Sequence, residues 1–311
     1  MNLIPTVKQN QSALLLKAFY QNKSPATLKA YRQDLESFRG FLDVPTVEQA
    51  SQFLIRQPHG KANLLALNFK AWLKEKDLSP NSVNRKLAGL RSLVKLANTI
   101  GLISWKLEVP NENTESYRDT RGPGKVAYQK MLKKAGESKN EVKALRDIAI
   151  LKLLHDLALR RSSLVNLDMS DLELDRQALW VTLKRRSEKK LKTLPVTTQK
   201  ALEAWLDLRG SDAGPVFTNL DRAGKGHRLT GSGLYYLVKG YGKKVGVKTR
   251  PHGLRHQGIT TAVIAAKDAG IGLEEVLDYS DHSSVGILMI YRDRERNVQG
   301  KLAELVASES P

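Results

Sequence analysis

The sequence contains no cysteine. Disulfides, thiolate nucleophiles and cysteine metal sites are therefore excluded. It has no stretch near the roughly 18 uninterrupted apolar residues of a membrane-spanning helix. Its first residues, MNLIPTVKQNQSALLL, lack the basic start and long apolar core of a secretory signal. The expectation is a soluble, cytoplasmic chain with no membrane partner. Acidic residues are also in short supply: 32 Asp and Glu stand against 51 Lys and Arg, a formal charge of +19. A folded chain with that excess is expected to meet a polyanion, most commonly nucleic acid. The 41% apolar content is enough for a globular protein, and 311 residues leave room for two domains with their own cores.

Helix signals dominate the first hundred residues. Ser24-Pro25 pairs an N-capping hydroxyl with a proline at the first helical position. Leu28, Tyr31, Leu35, Phe38 and Leu42 follow at helical spacing. Shorter helices are predicted over about 47–55 and 61–75, the latter burying Leu64, Leu67 and Trp72. Ser79-Pro80 repeats the opening device, and Val83, Leu87, Leu90, Val94 and Ala97 form the next apolar stripe before Gly101. Residues 1–108 thus read as a helical domain. The polar face of its last helix carries Arg85, Lys86, Arg91 and Lys95, which are candidate DNA contacts or a solvated surface. Residues 109–124, polar and bearing glycine and proline, read as a linker. Residues 125–296 form a mixed domain. Helices are predicted over about 127–134, 142–159, 198–208 and 231–245, with Ser162 or Ser163 capping a short helix. Strands are expected over 172–174, 178–183 and 193–196, the last two joined by the basic run KRRSEKKLK. The fold class expected is mainly α with a small antiparallel β-sheet. The tail, 297–311, places Leu302 and Leu305 at helical spacing.

Chemistry concentrates in two C-terminal boxes. RPHGLRH sets His252 and Arg255 three residues apart, and SDHSS carries His282, followed nine residues later by Tyr291. Guanidinium forks match phosphate oxygens, imidazoles move protons near neutrality, and a phenol can serve as nucleophile. Together with two upstream elements, the order resembles the tyrosine recombinase (phage integrase) family. ALRRSSLVNL resembles a family segment such as GLRISELLNL and places Arg160 at its arginine. VTLKRRSEKKLKTLPV places Lys184 at the family's hairpin lysine, with Lys189, Lys190 and Lys192 as competitors. HGLRH matches H-x-L-R-H, and SDHSS matches the box ending LGHSS. The chain departs from the pattern at three places. Ser162 and Ser163 stand where an acid usually follows the first arginine; Arg185 and Arg186 replace hairpin glycines; and Asp281 replaces the glycine before the second histidine.

The resemblance implies a helical core-binding (SAM-like) domain followed by an α+β catalytic domain. It implies strand cleavage and rejoining without metal, ATP or other cofactor. Arg160 and Arg255 would clamp the phosphate, His282 would donate to it, and Tyr291 would attack. His252 would take the phenolic proton and Lys184 would protonate the leaving 5′-hydroxyl. Double-stranded DNA bearing specific sites is the implied partner, with Arg185 and Arg186 as further candidate contacts. A homotetramer is also implied, whose tails contact neighbouring protomers, with room for accessory DNA-bending proteins. Two other readings share these residues: a type IB topoisomerase or telomere resolvase, and a catalytically silent DNA-binding protein of the same fold.

Overall fold

A computed structural model describes residues 5–114, 122–183, 188–221 and 224–282, together with 284–286, 288, 304 and 306–308; side chains are described from residue 13 onward. The chain divides into two compact units, Met1–Arg118 and Asp119–Pro311.

The first unit contains five helices among its described residues: α1 (Pro5–Tyr20), α2 (Pro25–Leu42), α3 (Val47–Ile55), α4 (His59–Glu75) and α5 (Pro80–Thr99). The two Ser-Pro starts act locally. Ser24 and Ser79 each accept a hydrogen bond from the backbone N–H three residues on, at 3.2 and 3.4 Å. The core joins Leu15 and Phe19 of α1 to Leu35, Phe38, Phe69, Leu87 and Leu90. Helix α1 adds to the helices that the sequence predicts. Leu64 and Leu67 were expected inside but are exposed, at 58% and 43%. On α4 the buried row is Ala62, Ala66, Phe69 and Leu73, where two alanines admit close packing and the leucines fall on the opposite face.

The second unit is built around α7 (Glu141–Asp156), which packs against α6 (Lys125–Gly136), α9 (Val196–Arg209) and α11 (Pro251–Asp268). Three antiparallel strands, β1 (Leu172–Glu173), β2 (Ala178–Thr182) and β3 (Lys189–Thr193), lie in the order β1-β2-β3. The strand expected at 193–196 is corrected to Lys189–Thr193, so the lysine run itself pairs with β2, in the register Val181 to Lys190 and Leu179 to Lys192. The short helix α8 (Arg161–Val165) has Arg160 as its N-cap and no side-chain cap. The expected serine cap is therefore absent: Ser163 instead donates to the Thr182 carbonyl at 2.9 Å, tying α8 to β2. The remaining helices are α10 (Gly231–Lys244) and α12 (Leu273–Ser280). No helix of the described residues is long and apolar enough to cross a membrane.

Gly258 governs how α11 meets α7. A Cβ there would lie 2.0 Å from the His155 carbonyl oxygen, so only glycine allows this approach. The approach brings the first turn of α11 beside the residues that leave α7.

Candidate active site

Three backbone segments meet in the second unit: the exit from α7 at Ala158–Arg160, the first turn of α11, and the turn ending α12 at Ser280–His282. Arg255 is 2% exposed and joins all three. Its guanidinium donates to the carbonyls of Ala158 and Ser280. Ala158 has φ 48°, a left-handed conformation that aims its carbonyl at the arginine. Arg160 reaches the same turn, donating to the Asp281 carbonyl at 2.5 Å, with Nη1 3.7 Å from Oδ2 of Asp281.

Strand β3 supplies two further cations. Residues two apart on a strand share a face, and both Lys190 and Lys192 point at the α12 turn. Lys190 donates to Asp278 Oδ1 at 2.6 Å and to Asp281 Oδ1 at 3.3 Å. Lys192, buried, donates to the Tyr279 carbonyl at 2.7 Å, with its ammonium 3.2 Å from Asp281 Oδ1. Burial lowers its pKa, and the positive charges of Lys190 and Arg255 add to this, while Asp281 opposes the shift. Lys189 turns away and pairs with Asp171.

The two box histidines complete the ring. Burial is the main cause that brings His282 down to about 4, aided by Arg255 and Arg160 and opposed by Asp281. His252 keeps one side open to solvent and sets its ring 6.1 Å from that of His256. Partial burial and then the charges of Arg255, Arg250 and Arg160 push it below the ordinary histidine value. Both imidazoles are therefore neutral at neutral pH, each with one ring nitrogen of the kind that accepts a proton and one that donates an N–H.

Arg160, Arg255, His252 and His282 are thus gathered at one place, with Lys190 and Lys192 beside them. Tyr279, near the second histidine, is a strut: its hydroxyl donates to the Asp156 carbonyl at 3.0 Å. Burial and the Asp156 charge push its pKa up, against Arg255, so it is a poor nucleophile. Lys184, Arg185, Arg186, Tyr291, Leu302 and Leu305 lie outside the described residues. Asp281, which stands where the family pattern has glycine, ends α12 with φ 52°, and its carboxylate also gathers the β3 lysines.

The candidate DNA contacts of α5 have partners of their own. Arg85 lies 2.5 Å from Oδ1 of the buried Asp34. Lys86 donates to Ser37 Oγ at 2.5 Å. Arg91 donates to the Asn111 side chain, and Lys95 is exposed.

Family models match both the helical unit and the mixed unit. The model described as the phage integrase family covers residues 126–297, and that described as the phage integrase N-terminal SAM-like domain covers 17–99. A tyrosine recombinase of Synechococcus elongatus is 33% identical over 92% of this chain and 90% of its own. One of Synechocystis is 31% identical over 98% and 97%. Among solved structures, XerH site-specific recombinase bound to palindromic difH substrate gives a TM-score of 0.69, with 17% identity, over 95% of this chain and 85% of that one. A lambda integrase dimer bound to a COC' core site gives 0.67, with 15% identity, over 93% and 78%. The chain belongs to the phage integrase family. It is a tyrosine recombinase, an enzyme of DNA recombination.

Proposed function

We propose that this protein recombines specific DNA sites by cutting and rejoining each strand through a 3′-phosphotyrosyl intermediate, within a tetramer on two sites. The observation that carries the reading is the convergence of Arg160, Arg255 and His282 on the turn at Ser280–His282. Transfer of a phosphoryl group spreads negative charge over the non-bridging oxygens, and preorganised cationic donors stabilise that charge without reorganising. Arg160 and Arg255 form the clamp, and neutral His282 donates a further N–H. Tyr291 attacks phosphorus and gives its proton to neutral His252. The bond from phosphorus to the 5′-oxygen breaks, and that oxygen takes a proton from the β2–β3 hairpin. Lys184 is the sequence's assignment for this donor, and Lys192 is a described hairpin lysine at the site. Attack by a partner strand's 5′-hydroxyl reverses the sequence, so the bond energy is conserved and no nucleotide cofactor is consumed.

In this reading residues 1–108 bind the DNA, 125–296 carry the chemistry on it, 109–124 links them, and 297–311 contacts the next protomer. The test is a suicide substrate, a nicked recombination site incubated with wild-type and Tyr291→Phe protein. Wild type should form a denaturation-resistant adduct and the variant none. An adduct with both would move the nucleophile elsewhere. Specific binding without an adduct from either would favour a silent DNA-binding protein.

A further inference from the structure

Four residues, Asp278 to Asp281, receive both inward lysines of β3, and Asp281 is the point where they meet Arg160. Its carboxylate is 5% exposed. Oδ1 faces Lys192 at 3.2 Å and Lys190 at 3.3 Å, while Oδ2 lies 3.7 Å from Arg160. The left-handed backbone at φ 52° fixes where this carboxylate stands. Any residue that tolerates the left-handed region could make that turn, and glycine would do so with less strain. The turn therefore does not explain a carboxylate closed off from water among three cations.

We infer that Asp281 is a positioning residue that acts through Lys192, holding its ammonium protonated and aimed so that Lys192 delivers the proton to the leaving 5′-oxygen. The inference rests on the proposed strand-cleavage reading. Its chemistry balances: the bond from phosphorus to the 5′-oxygen breaks, the phenolic oxygen of Tyr291 bonds to phosphorus, His252 takes the phenolic proton, and Lys192 Nζ gives one proton to the departing oxygen. A donor must carry its proton when the reaction begins. Lys192 is buried, and Lys190 and Arg255 further disfavour its charge. The opposing charge is that of Asp281, and the Tyr279 carbonyl at 2.7 Å fixes the second direction of the ammonium. Tyr279 is itself pinned through its hydroxyl to Asp156, so the ammonium is held between two fixed acceptors.

The experiment compares wild type, Asp281→Gly, Asp281→Asn and Lys192→Met on two suicide substrates. One carries the natural 5′-oxygen at the scissile bond; the other carries sulfur there, which leaves without needing a proton. Adduct-forming rates are read at saturating DNA, beside affinity for an uncleavable site. On the oxygen substrate, Asp281→Gly should slow the reaction by about tenfold or more, a part of what general acid catalysis contributes. Asp281→Asn should lose less, because its amide oxygen still accepts from Lys192. Affinity should hold or rise, because a negative charge near the phosphate is gone. On the sulfur substrate, Asp281→Gly and Lys192→Met should both return to near the wild-type rate. Full activity of Asp281→Gly on oxygen would reduce the residue to a turn and overturn the inference, as would equal slowing on both substrates. If Lys192→Met kept the wild-type rate on oxygen, the donor would be another lysine. Failure of the cleavage reading itself would be visible separately, as absence of any wild-type adduct on either substrate.

Discussion

Asp34 in the first unit and Asp281 in the second are both nearly closed to water, with side chains 1% and 5% exposed, and both face arginine and lysine. The two clusters dispose of their charge differently. Asp34 sits within α2, with Arg85 at 2.5 Å and Lys86 at 4.0 Å. Burial raises its pKa while those two cations oppose the rise, and burial lowers the pKa of Lys86. There the cations are used to neutralise a buried carboxylate, and the cluster reads as a packing device between α2 and α5. At the site in the second unit Arg255 is held by the carbonyls of Ala158 and Ser280, and Arg160 by the Asp281 carbonyl, with the Asp281 carboxylate farther off at 3.7 Å. A carbonyl orients a guanidinium without cancelling its charge, so the charge stays available to a phosphate. On the proposed strand-cleavage reading, the comparison separates the basic residues poised for chemistry from those that serve the fold.

The sharpest way to break it is to exchange arginine for lysine on each side. Lysine keeps the charge but cannot span two carbonyls and a phosphate with one planar fork. Arg255→Lys should cut the adduct-forming rate by about 10²–10³-fold, the scale of losing one preorganised donor, with DNA affinity little changed. Arg85→Lys should leave the rate within a few-fold, since Asp34 needs only a cation. Similar losses from both would show that the carbonyl-held geometry has no special role.

Each unit also has a glycine where two helices touch, and the pair carries the next effect. A Cβ at Gly258 would meet the backbone oxygen of His155 at 2.0 Å; one at Gly89 would meet the Cβ of Asp34 at 2.9 Å. Backbone in a helix cannot give way, so Gly258→Ala should cost about 3 kcal/mol, the upper end of ordinary overpacking. It should also displace Arg255 and with it the site. Gly89→Ala presses on a side chain and regains up to about 1 kcal/mol of helix propensity, so a smaller loss is expected. Thermal unfolding of both variants checks the ranking. A reversed order would mean that α11 slides along α7 more easily than α5 along α2.

The helices were legible in the sequence where their signals are local. Ser24-Pro25 and Ser79-Pro80 cap helices through contacts three residues away, and HGLRH lies at the start of α11. What escaped depends on distant partners. The strand Lys189–Thr193 has three lysines, a composition with little strand preference, and exists because β2 pairs with it. On α4, Leu64 and Leu67 look as buriable as Phe69 and Leu73, and only the neighbouring helices decide which row faces in. Asp281 stood out in the sequence as an oddity in its box. Its role could not be read there, because its lysine partners lie about ninety positions upstream. The serines after Arg160 misled for a related reason: capping was the local expectation, and Ser163 is drawn instead to β2.

Acidity acts on the second unit through its two site histidines, at the level of about tenfold in rate per pH unit. His252 lies below its ordinary value of 6.5, chiefly through burial and Arg255, and His282 is brought down to about 4. A base with a lowered pKa stays unprotonated as pH falls through the ordinary value. Adduct formation should therefore be flat from neutrality down through 6.5 and decline about tenfold per unit only below the lowered value of His252. Folding follows the same sign: the unfolded chain binds the His282 proton first, so stability is lost as pH falls from 6.5 toward about 4. A rate that already declined between pH 7 and 6.5 would mean charged imidazoles at the site.

The smallest effect concerns the backbone that holds Arg255. Ala158 adopts φ 48°, a region that costs a residue bearing Cβ about 1–2 kcal/mol. Its carbonyl must nonetheless point at the guanidinium, and Ala158 packs among Ile259, Val263 and Val276 at the junction of α11 and α12. Glycine would remove the conformational penalty, but it would also give up the methyl group's packing and add freedom to the unfolded chain. The first gain slightly exceeds the two losses, so Ala158→Gly should stabilise the protein by roughly 0.5 kcal/mol, a rise of about 1–2 °C in the midpoint of the second unit. The first unit has left-handed turns of its own at Asn22, Asp43 and Asp77, but Asn and Asp tolerate that region better than Ala, so glycine there should gain less. A lower midpoint would show that the methyl group of Ala158 holds this junction more firmly than the backbone resists it, and that the carbonyl clamp on Arg255 is secured by packing.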